Sequence, residues 1–98
     1  MTQYLEKLNT LPFHMQATVR LWIERAIPPG SFLTAVLCND LFGALGRADE
    51  VNANALKNYA IYFYSFAPSG CYGSTERFSE WAKSGGLIGQ GHELEGVA

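Results

Sequence analysis

Charge is sparse in this sequence and has no clear sign: seven lysines and arginines stand against nine aspartates and glutamates, a net charge of −2 over 98 residues. No stretch gathers the basic side chains that backbone phosphates need, so nucleic acid is an unpromising partner. Cysteine is equally scarce, with Cys38 and Cys71 far apart, no CxxC motif and no histidine beside either. Neither a zinc site nor a redox dithiol is indicated, no cofactor is expected, and two reduced thiols fit a cytoplasmic protein. The histidines, His14 and His92, have no cysteine or carboxylate at ligand spacing apart from the adjacent Glu93. No complete catalytic set results, and a non-enzymatic protein is expected. No apolar run approaches the ~20 residues of a membrane span, and residues 1–10 lack the apolar core of a signal peptide. The expectation is an intracellular protein without a membrane partner.

What the chain does have is apolar and aromatic content, 48% and 13% respectively, in a length that suits one small globular domain. Turn chemistry at Pro28-Pro29-Gly30, Gly46 to Asp49, Pro68-Ser69-Gly70 and Gly85-Gly86 divides it into four helical segments. Nothing alternates polar and apolar long enough to propose a sheet. The expected fold is therefore all-α, a small bundle of three main helices and a short fourth over residues 1–86. Glycines at 86, 89, 91 and 96 make residues 87–98 a flexible tail in the same reading.

Spacing supplies the faces. Met15, Val19, Trp22, Ile23 and Ala26 recur at threes and fours in a first helix that begins at Pro12, with Thr10 or Asn9 as its cap. A second helix is predicted as one apolar rod from Ser31 to Leu45, in which Asp40 is the only charge and Gly43 implies a close neighbouring helix. The third, capped by Asp49 or Asn52, carries Leu56, Tyr59, Phe63 and Phe66 inward and Ile61 with Tyr64 on the opposite side. Two apolar faces call for two neighbours, and a second copy of the chain is one candidate. Ser74 caps the short fourth helix, whose inward face is Phe78, Trp81 and Ala82.

The strings Pro28-Pro29-Gly30-Ser31-Phe32-Leu33-Thr34-Ala35-Val36-Leu37-Cys38-Asn39-Asp40-Leu41, Gly46-Arg47-Ala48-Asp49 and Ala67-Pro68-Ser69-Gly70-Cys71-Tyr72-Gly73-Ser74, with Trp81, resemble a family of small uncharacterised proteins encoded by bacteriophages and prophages. The resemblance runs from about Leu11 to Leu87. It implies a mobile-element origin and action in the cytoplasm of a bacterial host, and it attaches no chemistry to any residue.

Candidate site residues follow from burial and exposure. Asn39 and Asp40, placed within an apolar helix, form a possible buried polar site; the carboxylate either pairs with Arg47 or Arg20, caps the next helix, or faces a ligand. Arg47 and Asp49 sit on an exposed turn where Asp49 caps a helix and Arg47 is free for a partner's carboxylate or phosphate. Ile61, Tyr62 and Tyr64 form an outward aromatic patch suited to a protein interface, and Tyr72 lies in the neighbouring loop. The leading expectation is a phage or prophage accessory protein that binds a host protein and blocks a defence system such as CRISPR interference. The alternative is a binder that sequesters a nucleotide signal between helices or subunits, in a site lined by Tyr62, Tyr64, Arg47 and the 69–74 loop.

Overall fold

The computed structural model describes residues 3–92, and helices are the only regular secondary structure among them. In chain order they are α1 (Gln3–Glu6), α2 (Phe13–Arg25), α3 (Ser31–Leu37), α4 (Leu41–Arg47), α5 (Glu50–Asn54), α6 (Leu56–Ser65), α7 (Thr75–Ser84) and α8 (Gly86–Gly89). Single turns of 3-10 helix follow α1 at Lys7–Thr10 and precede α7 at Ser69–Cys71. The all-α class stands, but the three long helices and short fourth are replaced by more and shorter pieces.

The central correction concerns the predicted rod from Ser31 to Leu45. Asn39 adopts a left-handed conformation, φ 63°, which its short polar side chain tolerates better than most residues. Asp40 then turns its carboxylate onto the first turn of α4, accepting the Gly43 N–H at 3.0 Å. The rod is thus cut into α3 and α4, which fold back against each other. Phe32, Leu33, Ala35 and Leu37 of α3 are buried, whereas α4 buries only Ala44 and leaves Leu41, Phe42 and Leu45 in solvent. Gly43 has a local reason rather than a neighbouring helix, because a Cβ there would collide with the Asp40 and Arg47 side chains.

The third predicted helix is also cut, at Ala55 between α5 and α6. Asp49 caps α5 by accepting the Asn52 N–H at 2.7 Å, as its position suggested. Asn52 is buried beside the break and accepts the Tyr59 hydroxyl at 2.7 Å. Ser74 caps α7 by accepting the Arg77 N–H at 3.1 Å. At α2, by contrast, Pro12 occupies the cap position without a side-chain bond, and Thr10 turns back to the Lys7 carbonyl.

The domain boundary moves at the C-terminal end. Residues 87–92 are no tail, since Leu87 is buried and α8 packs on α2. Gly86, at φ +74°, sits so close that a Cβ would lie 2.7 Å from the backbone of Glu24 and Arg25. The part of the predicted tail from 93 to 98 lies outside the described residues. At the other end, Tyr4 is buried and donates its hydroxyl to Glu24 at 2.8 Å. Glu24 is only 4% exposed and holds its carboxylate between Tyr4 and the Arg20 Nε at 3.0 Å.

Around α2 the core closes with its polar atoms satisfied. Trp22 stacks on Phe78 with ring centroids 4.5 Å apart, and its indole N–H donates to the Cys71 carbonyl at 3.0 Å. Trp81 in turn donates to the Trp22 carbonyl at 2.9 Å. These bonds let two indoles sit inside without an unsatisfied donor, which would otherwise cost about 1–3 kcal/mol each.

Candidate binding groove

The break at Asn39 opens a concavity lined by α3, α4 and α6. Because α4 swings away from the axis of α3, it leaves an open-mouthed groove of about 260 Å³ between itself and α6. Val36, Ala44, Tyr59 and Phe63 line it, with Leu41 on the α4 bank and Leu56 with Ala60 on the α6 bank. Tyr72 and Gly73 also line it, and the Gly73 N–H is fixed to the Leu37 carbonyl at 2.8 Å. Tyr72 is half-buried and leans on Phe63, with 6.0 Å between ring centroids.

Asn39 and Asp40 do line this groove, but not as a buried polar site: both are exposed, and Asp40 spends one carboxylate oxygen on the α4 cap. The idea of a desolvated carboxylate within a helix fails because the helix stops before it. Asp40 is the one lining residue that carries a charge at neutral pH. The groove is therefore shaped for apolar atoms, with a single negative charge beside it.

The other named residues divide. Ile61 and Tyr64 point outward as expected, Tyr64 at 82% exposure. Leu56, Ala60 and Tyr64 follow at intervals of four, so Tyr64 continues the ridge whose first two members line the groove. Tyr62 is the clear error, since it is fully buried and donates its hydroxyl to the Tyr4 carbonyl at 2.7 Å. Burial raises its pKa, with Cys71, Tyr4 and Glu24 adding to the effect. Sequence reasoning placed it outside because nothing in the pattern of residues 3–6 showed that Tyr4 would accept its hydroxyl.

Arg47 and Asp49 are exposed and lie outside the groove. Asp49 serves the α5 cap and also meets the His14 Nε2 at 3.3 Å, which fastens the start of α2 to the start of α5. Of the residues named for a nucleotide site, Tyr62, Tyr64, Arg47 and the 69–74 loop, only Tyr72 and Gly73 line the groove. Cys71 is fully buried, and burial pushes its thiol up to about 12, so at neutral pH it is a protonated packing group rather than a nucleophile.

Residues that sequence reasoning missed are those of α4 and the α6 bank. The signal was present in Asn39-Asp40 itself, a left-handed-tolerant residue followed by a good N-cap. Among the described residues, no three histidine, cysteine, aspartate or glutamate side chains gather as a metal site, and no helix is long and apolar enough to cross a membrane. No family model, curated protein or solved structure matches the chain.

Proposed function

We propose that this chain is a non-enzymatic binding protein whose α4–α6 groove receives an apolar segment of a partner protein. The observation that carries this reading is the groove itself, apolar in its lining and flanked by Leu41 and Tyr64 that stand open to water. An amphipathic helix or short apolar loop laid along it would bury side chains at about 1.5–3 kcal/mol each, which is how helix-in-groove recognition gains affinity. The bacteriophage resemblance makes a bacterial host protein the expected partner, with a component of a defence system such as CRISPR interference as the first to try.

A nucleotide ligand is the less favoured reading. Its phosphates would meet the Asp40 carboxylate and find no lysine or arginine among the lining residues.

Ala60 offers the test, because it is exposed and lines the groove without supporting the core. Affinity capture from a bacterial host lysate is expected to recover a protein with the wild type and to lose it with Ala60→Glu, while circular dichroism of the variant stays native. Equal recovery by both proteins, or no recovered protein with the wild type, overturns the proposal.

A further inference from the structure

Of the helices that bound the groove, α4 has the least to keep it formed. Its seven residues are too few to hold a helix in water, where nucleation is unfavourable and packing supplies most of the stability. Gly43 and Gly46 weaken it further, each lowering the equilibrium for helix formation about fivefold relative to alanine. Packing does not make up the difference. Ala44 is the one buried side chain of α4, whereas α2 buries Val19, Trp22, Ile23 and Glu24, and α6 buries Tyr59, Tyr62 and Phe63.

Hydrogen bonding isolates α4 in the same way. Ala44 donates to the Asp40 carbonyl at 2.9 Å, and the Ala48 N–H reaches back to the Leu45 carbonyl at 3.4 Å. Among the described residues, no hydrogen bond or ion pair joins residues 41–48 to anything beyond Asp40. The neighbouring elements are closed without its help. The Asn39 and Asp40 N–H groups return to the Val36 and Ala35 carbonyls at 3.1 and 2.8 Å, which finishes α3, and Asp49 caps α5. Thus α4 hangs between two ends that do not need it.

We propose that α4 is an order–disorder gate over the groove, melting off α3 and re-forming as one unit between Asp40 and Ala48 while α2, α3 and α6 stay folded. Segments with few buried contacts and purely local hydrogen bonds are those that open on their own. Melting removes one bank of the groove and leaves Val36, Tyr59 and Phe63 in place on α3 and α6. An apolar segment enters while α4 is away and is clasped when Leu41 returns, a consequence that rests on the groove reading, whereas the melting does not.

Amide hydrogen exchange of the full chain, followed residue by residue by NMR in up to about 1 M urea, tests this. The Ala44, Leu45, Gly46 and Arg47 amides are expected to be protected, yet to exchange about 100-fold or more faster than those of Trp22, Ile23 and Phe63 after correction for intrinsic rates. Their rates are expected to be nearly independent of urea, because a small opening exposes little surface, while the core amides quicken. Ile23→Val, a mild core change, is expected to speed the core amides about fivefold and leave those of α4 unchanged. Gly46→Ala, whose new Cβ meets nothing within 4 Å, is expected to slow α4 exchange about fivefold. Amides of α4 that exchange in step with the core, or that quicken with it in Ile23→Val, overturn the proposal. So do α4 amides that exchange at unfolded-chain rates, or that ignore Gly46→Ala. None of these outcomes involves a captured host protein, so the groove reading and this one fail separately.

Discussion

Tyr62 and Tyr64 stand two positions apart, yet one is sealed inside and the other is almost wholly in water. Their separation of about 200° around the helix explains the difference, and the sequence pattern shows it for Tyr59, Phe63 and Tyr64. It does not show it for Tyr62, whose cover comes from Tyr4, far away in the chain. Cys71 makes the same point: its loop reads as turn chemistry, but the residue is fully buried and its carbonyl accepts the Trp22 indole N–H. This burial has a measurable result. The folded thiol keeps its proton up to about pH 12, whereas an unfolded one ionises near pH 9. Its contribution to stability is therefore complete below pH 9 and is lost as the pH rises toward 12, at up to about 1.4 kcal/mol per pH unit. Urea midpoints measured between neutral and strongly alkaline pH are expected to fall less steeply for Cys71→Ala than for the wild type. The slope does not vanish, because burial raises Tyr59 and Tyr62 in the same direction.

At the level of helices, the apolar periodicity identified α2, α6 and α7 and the faces they bury. Caps at Asp49 and Ser74 were legible because capping needs only a short acceptor side chain at the right place. The breaks were not, for a run such as Ser31 to Leu45 has the same apolar content whether it is one buried helix or two half-buried ones. Asn39 decides between them through its backbone. Replacing it with glycine is expected to leave thermal stability at or above the wild type, whereas Asn39→Ala is expected to cost up to about 1 kcal/mol, because alanine keeps the Cβ but loses the short polar side chain that tolerates the left-handed region. An Asn39→Ala protein as stable as Asn39→Gly would mean that the turn does not set the geometry of the groove. Since α4 is held off the α3 axis at this residue, the candidate site was legible only where that turn was.

Across the whole molecule, α2 is the axle on which both ends of the described chain close. Glu24 takes the Tyr4 hydroxyl from one end, and its backbone meets Gly86 from the other. Neither contact was visible in the sequence, because the N-terminal segment is short and the C-terminal one is rich in glycine. The glycine that suggested looseness is there to allow close approach. Gly86→Ala is accordingly expected to destabilise the domain by about 2–4 kcal/mol in chemical denaturation, from backbone collision and a positive φ together. A change below 1 kcal/mol would place α8 off the core.

The seal at Gly86 also dictates an order of events during biosynthesis. As the chain leaves the ribosome, α2 is made well before α8, the helix that packs on it. Until it docks, the backbone at Glu24 and Arg25 lacks the glycine that closes over it in the finished domain.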